Sequence, residues 1–355
     1  MTAPERILIV KLSAIGDVVH SLPFLEVVKR TWPQAGIDWV VEEAAAPIVL
    51  GHPALDRVWV SRRKAWQRAL TKGPGRAAAA REAAAFAGAL RREPYDLVVD
   101  LQGLFKSGVI TGLARGRRKV GMSGAREGSA FFLTEAPVPV DYETHAMLRY
   151  LEVARALGCD TSVWDGVIPV GAKDREEVER LFEEHRWGLR PLVALNPMAK
   201  WATKLWEPER FGALADRIGS ELQADIAFTG GPEDRGVIEA ILGGMSHPAA
   251  NLAGRTGLKT LAWLYRRAAL LVCTDTGPMH MAAAMGCPVV ALFGPTAPWR
   301  TGPYGPQHRV VRTGIACSPC FRKRCEERTC MRRITVESVF AEVAEALQVR
   351  QRNSA

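Results

Sequence analysis

Short apolar segments alternate with helical stretches twice along this chain, and that alternation restricts the fold more than any other feature. RILIV (6–10), IDWVV (37–41), RVWV (57–60), YDLVVDL (95–101) and RKVGM (118–122) read as strands, with helical stretches between them that include the alanine-rich run 76–92. Such alternation predicts a parallel sheet covered on both faces. A helix over 142–158 stops at Gly158, and the next stretch, CDTSVWDGVIPVGAKD, loses periodicity and reads as the approach to a linker. The pattern then restarts. LVALNP (192–197), DIAFTGG (225–231), LLVCTD (270–275) and PVVALFG (288–294) are strands, and 207–222, 233–243, 258–267, 278–286 and 336–349 are helices. The 355 residues exceed what one core organises. The expectation is α/β with two units, 1–170 and 171–355, and a ligand cleft between them. The last helix is expected to be able to pack back on the first unit.

Charge narrows the partners. The chain carries a formal +9 at pH 7, partly in clusters at Arg62-Arg63-Lys64, Arg115 to Lys119 and Arg322-Lys323-Arg324. Each cluster suits an anionic partner or is a solvated face. The N-terminus lacks the basic-then-apolar layout of a signal peptide, and no apolar run approaches ~18 residues, so a cytosolic protein is expected. No GxGxxG follows a strand and no GxxxxGK[ST] occurs, which removes the usual support for a dinucleotide-dependent oxidoreductase or a P-loop NTPase. The basic clusters lack interleaved aromatics, which argues against nucleic acid.

Three strand ends in the second half carry candidate ligand groups. In CTDTGPMHMAAAMGCPVVALFGPT (273–296), the turn at Thr276-Gly277 runs into a helix opened by Pro278, an arrangement that presents backbone N–H groups and the helix dipole to a phosphate. Asp275 can accept from sugar hydroxyls or cap that helix, and His280 can face the same ligand or be a surface residue. Lys204 in NPMAKWATKLWEPERF can reach a pyrophosphate or be solvated, and Glu233 follows the glycine turn of FTGGPEDR. In the first half, KLSAIGDVVHSLP (11–23) sets Asp17 after a glycine. A helix starting right after Asp17 would meet Pro23 near its sixth position. One starting at Ser21 would take the proline in its first turn and leave Asp17 in the loop. Local sequence leaves open whether Asp17 caps or reacts.

Cys317, Cys320, Cys325 and Cys330 crowd into fourteen residues. Zinc ligation and free thiols are both open readings, and disulfides a third that the cytosol disfavours, although the spacing is tighter than that of a two-knuckle site.

The combination of KLSAIGDVVHSLP, KLW, DTGPMH and GPT resembles the ADP-heptose:lipopolysaccharide heptosyltransferases, glycosyltransferase family 9, from about residue 6 to 345. SRRKAWQRAL, VVDLQGLFKSG and GAREGSAFF are similar to the heptosyltransferase I branch, which adds the first heptose to Kdo, whereas the cysteine segment looks more like heptosyltransferase II. Met198 and Ala199 stand where hydroxyl residues often meet the donor phosphates. The resemblance implies a GT-B fold, with two Rossmann-like domains facing a cleft, and inverting transfer without a metal or other cofactor. It implies Asp17 as base, with Lys204, Glu233, Thr256, Asp275, Thr276, Gly277 and His280 on the ADP-heptose donor. Ser13, Gly16, Arg62, Arg63, Lys64, Lys106 and Arg126 would receive the Kdo-lipid A acceptor. It further implies a cytoplasmic enzyme held peripherally at the inner leaflet of the inner membrane by charge. Transfer of the second heptose or of another nucleotide-linked sugar is the nearest alternative; a basic, nucleotide-sensing nucleic-acid-binding protein is the alternative from another class.

Overall fold

The computed structural model describes residues 3–72 and 75–354. They divide between Pro169 and Val170 into two compact units. In the first unit, β1 (Arg6–Val10), β2 (Gly36–Glu42), β3 (Arg57–Ser61), β4 (Pro94–Asp100) and β5 (Arg115–Gly121) form a sheet of order β3-β2-β1-β4-β5. All its pairings are parallel. The helices are α1 (Ile15–His20), α2 (Leu22–Thr31), α3 (Arg63–Lys72), α4 (Arg76–Arg92), α5 (Phe105–Leu113) and α6 (Ala146–Ala156). Central strands are apolar because helices cover both faces: Ile7, Leu8, Ile9, Val10, Val98 and Val99 are fully buried. The Arg115–Lys119 cluster is the edge strand β5, where charge discourages pairing with a further chain, and Arg118 is tied to Glu135.

The second unit repeats the plan. Its strands are β6 (Leu192–Asn196), β7 (Asp225–Phe228), β8 (Ala250–Asn251), β9 (Leu270–Thr274), β10 (Val289–Leu292) and β11 (Arg309–Val311), in the order β11-β10-β9-β6-β7-β8. These pairings are also parallel. Its helices are α7 (Ala172–His185), α8 (Pro208–Glu221), α9 (Arg235–Gly243), α10 (Leu258–Arg267), α11 (Gly277–Ala284), α12 (Pro298–Thr301), α13 (Thr329–Arg332) and α14 (Val336–Ser354). The apolar face of α14 is buried in this unit's own core through Val339, Val343 and Leu347, against α8 and β9–β11. The Arg350 guanidinium caps that packing by donating to the carbonyls of Ala268 and Ala269 at 2.9 and 2.8 Å.

Two parts of the sequence reading change. The expected linker ends earlier than its composition suggests, because Ala172 already begins α7. That helix buries only Val178, Leu181 and Phe182, too narrow a stripe to stand out among its charges. Strands β8 and β11 are two and three residues long and lie at the sheet edges, below the length at which a pattern is legible.

Candidate functional site

Each sheet reverses its direction of growth at one place, and ligands of such sheets collect beyond the carboxyl ends of the strands there. In the first unit the reversal lies between β1 and β4, in the second between β6 and β9. The expected residues cluster around both points.

In the first unit, α1 starts at Ile15 and ends at His20, Ser21 forms the joint, and α2 starts at Leu22 with Pro23 in its first turn. Pro23 is thus placed as the Ser21 reading expected, but Asp17 is not released into a loop. It is the third residue of α1, and its Oδ2 accepts the Ala14 N–H at 3.0 Å. Among the described residues its other carboxylate oxygen has no hydrogen bond, and the side chain is half-buried. Asp17 therefore caps its helix with one oxygen and keeps the other available. Gly16 is buried beside it in the same turn.

The loop before α1 is held from the segment after β4 and from α5. The Gln102 side-chain carbonyl accepts the N–H groups of Leu12 and Ser13 at 3.2 and 3.0 Å, and the Lys106 ammonium donates to Ser13 Oγ at 2.5 Å. Lys106 also pairs with Glu42 Oε1 at 3.1 Å, and the same carboxylate meets Arg63 at 2.9 Å and Lys64 at 3.3 Å. Arg62 turns elsewhere, to Glu43 and Glu82, so the three-residue basic run is split. Arg126 is exposed on a turn whose backbone bonds Gly103, with no side-chain hydrogen bond or ion pair among the described residues. Beneath Asp17 lies a buried ammonium that the sequence reading missed. Lys11 donates to the Leu101 carbonyl at 2.9 Å and to Tyr150 Oη at 2.6 Å. Burial alone would lower its pKa, but Tyr150, Asp17 and Asp100 together hold it above the ordinary lysine value.

In the second unit, Lys204 follows β6 on a short turn and Asp275 follows β9, and they meet across the reversal: Nζ to Oδ2 is 2.6 Å. Thr296, after β10, donates to the same Oδ2 at 2.6 Å. Asp275 therefore does not cap α11. The N-cap is Thr276, its side chain makes no cap bond, and Gly277 and Pro278 open the helix. The first N–H groups of any helix lack partners within it, so α11 presents donors and a positive dipole end beside the Lys204–Asp275 pair. His280 is buried in the next turn of the same helix. Trp201 lies under the Lys204 ammonium, 4.6 Å from ring centre to Nζ. The KLW tryptophan, Trp206, is buried and donates to the Ile334 carbonyl at 3.0 Å, which anchors the lysine turn.

Glu233 is exposed on the turn after β7, and Thr256 lies half-buried after β8. Those two turns touch. Gly254 N–H donates to the Gly230 carbonyl at 3.0 Å, and a Cβ on Gly254 (φ +72°) would come within 2.9 Å of Pro232 Cα. Met198 contributes its carbonyl, which accepts from Thr274 Oγ1 at 3.0 Å.

The four cysteines are free thiols. Cys330 is buried and Cys317 and Cys325 are exposed, and among the described residues no three His, Cys, Asp or Glu side chains converge as metal ligands. Burial pushes the Cys330 thiol up, and the neighbouring cysteines add to this. Cys330 Sγ packs close to Gly294, where an added Cβ would come within 2.9 Å of it.

Missed by the sequence reading were Lys11, Glu42, Gln102 and Thr296. Each is a polar residue just at or beyond the carboxyl end of an apolar strand, which is the signal that would have found them.

Comparison with known proteins identifies the family. The model of glycosyltransferase family 9 (heptosyltransferase) matches residues 83–331. Lipopolysaccharide heptosyltransferase 1 of Pseudomonas aeruginosa is 33% identical over 330 residues, covering 90% of this chain and 87% of that protein. The Escherichia coli K12 protein of the same name is 30% identical over 86% of this chain and 93% of its own length. Among solved structures, E. coli heptosyltransferase WaaC with ADP has a TM-score of 0.77 at 28% identity, covering 96% of this chain and 99% of that one. The family 9 glycosyltransferase of Veillonella parvula has a TM-score of 0.80 at 26% identity, with 97% of each chain covered. The chain belongs to glycosyltransferase family 9, the heptosyltransferases, and is a heptose-transferring enzyme of the GT-B fold class.

Proposed function

We propose that this enzyme moves L-glycero-D-manno-heptose from ADP-heptose onto Kdo of the lipopolysaccharide inner core, with inversion at the anomeric carbon. The observation that carries the reading is the pairing of Asp17, one carboxylate oxygen open, with a cationic cluster at the same sheet reversal. Arg63, Lys64 and Lys106 against Glu42 leave two positive charges from three cations and one carboxylate, a fit for an acidic sugar. Relatives named heptosyltransferase 1 support the first-heptose position.

In this reading the acceptor hydroxyl attacks the anomeric carbon from the face opposite ADP, and its proton passes to Asp17 as the new bond forms. The bond between that carbon and the phosphate oxygen breaks, and ADP departs with the electron pair. Lys204 and the α11 N-terminal amides offset the charge that builds on the pyrophosphate, so the reading includes no metal or other cofactor. Asp275, Glu233, Thr256, Thr276, Gly277 and His280 would hold the donor's sugar and adenosine. Ser13, Gly16 and Arg126 would complete the acceptor side. No helix among the described residues is long and apolar enough to cross a membrane. Electrostatic attachment to the anionic cytoplasmic leaflet is part of the proposal, and nucleic acid is not.

The test is a transfer assay with ADP-heptose against Kdo2-lipid A and against the same acceptor already carrying one heptose, with the product anomer assigned by NMR. Heptose added to the Kdo acceptor alone, with inverted configuration, is the expected result. Transfer only to the heptosylated acceptor moves the enzyme to the second position. No transfer to either, or retention of configuration, sinks the reading.

A further inference from the structure

Glu42 is a buried carboxylate near the first unit's reversal that no functional assignment uses. It ends β2, and its side chain is 4% exposed. Three cations from two separate helices converge on it: Arg63 and Lys64 from the start of α3, and Lys106 from the first turn of α5. Without a shared counter-ion, three cationic side chains repel and disperse into water. A buried, multiply bonded carboxylate offsets that repulsion and selects one arrangement. Lys106 extends the contact by donating to Ser13 Oγ, one residue before the Ala14 N–H that binds Asp17. The Glu42 N–H also donates to the Leu12 carbonyl at 3.0 Å, so backbone and side chain both grip that loop.

We infer that Glu42 is a positioning residue of heptosyl transfer: it gathers Arg63, Lys64 and Lys106 into one seat for the acceptor's carboxylate and locks that seat, through Lys106 and Ser13, to the turn that carries Asp17. The inference rests on the acceptor reading proposed above. Titration supports it. Burial lowers the pKa of Lys106, and Arg63 and Lys64 lower it further, while Glu42 opposes all three. Glu42, Arg63 and Lys64 are the charged groups facing this ammonium, and Ser13 is its neutral partner. Burial would raise the Glu42 pKa, yet Arg63 and Lys106 hold it below the ordinary range, so the carboxylate stays charged as Lys106 titrates. Replacing it with an amide removes the carboxylate that opposes burial, Arg63 and Lys64 at Lys106. The ammonium then loses its proton at a lower pH than in the wild type.

The experiment compares wild type, E42Q, E42D and K106R for transfer to a Kdo acceptor, with KM for acceptor and donor measured separately across pH. E42Q should raise acceptor KM about tenfold or more, on the scale of one lost hydrogen bond to a charged group, with donor KM unchanged. Its alkaline limb should move to lower pH, and E42D should recover part of both effects. In K106R, whose guanidinium does not titrate in this range, the alkaline limb should move to higher pH. An unchanged or tighter acceptor KM in E42Q overturns the inference, since Glu42 would then be a bystander or a competitor for the cations. An alkaline limb unshifted in E42Q, or unmoved in K106R, overturns it too. If E42Q does not fold, the E42D and K106R profiles decide. A wild type inactive on every Kdo acceptor rejects the proposed function. An active wild type with an indifferent E42Q rejects only this inference.

Discussion

The two sheet reversals are alike in backbone and opposite in electrostatics. In the first unit one buried carboxylate is shared by three cations, and the surplus is positive. In the second, Lys204 faces Asp275 one to one, and Thr296 occupies the same carboxylate oxygen. The first arrangement can take an anion without giving up its internal partner. The second is neutral within itself, so a diphosphate must share the lysine with Asp275. The α11 amides then supply what the ion pair withholds. One fold plan thus yields a site with surplus positive charge and a site that is neutral within itself, as the proposed acceptor and donor roles require.

Substitutions that erase one side of this contrast should have graded effects. The largest is expected for Asp17→Asn. Loss of a general base costs about 10²–10⁴-fold in kcat, and donor affinity measured by ADP-heptose titration should stay within about twofold. A variant that turns over at the wild-type rate would leave Asp17 with its capping role alone. Lys204→Met comes next, with ADP-heptose binding weakened about 10–100-fold, the scale of one or two charged hydrogen bonds. It also leaves Asp275 without its cation, so thermal unfolding should show a lower Tm than wild type in the absence of ligand. An unchanged donor Kd would show that the ion pair is structural rather than a donor contact.

Trp206→Phe probes the support beneath Lys204. Removing the indole N–H leaves the Ile334 carbonyl short of a donor, though Arg210 also reaches it, and should cost about 1 kcal/mol in chemical denaturation. The smallest effect is expected for Arg62→Ala. Its guanidinium bonds Glu43 and Glu82 at an exposed position, so acceptor KM should move less than about twofold. A rise equal to that of Arg63→Ala would mean that the acceptor draws Arg62 away from those carboxylates and into the cationic seat.

Asp17 illustrates how far the sequence could be read. The glycine, the aspartate and the proline were enough to place a helix boundary in residues 11–23; of the two start points that competed, the structure keeps the one at Ser21 and adds a short helix before it. It breaks the stretch into α1 and α2 at Ser21, whose Oγ donates to the Asp17 carbonyl at 2.6 Å. Propensity could not produce that answer, because the break depends on what α1 and α2 pack against: Val18, Val19, Phe24 and Leu25 are all buried. Lys204 and Asp275 were each named from the sequence, yet their 2.6 Å contact joins residues 71 apart and follows only from the adjacency of β6 and β9.

The sequence by itself determined the two-unit parallel architecture, because alternating apolar and amphipathic segments have few other ways to bury their faces. It also located the polar residues at strand ends, where the local change of pattern is visible. Only the tertiary structure decided which of those residues share a partner. Arg62, Arg63 and Lys64 are adjacent in the chain, but one turns to Glu43 and Glu82 and two turn to Glu42. Partnership among charges is set by distances across strands and helices far apart in sequence, and no local pattern encodes those distances.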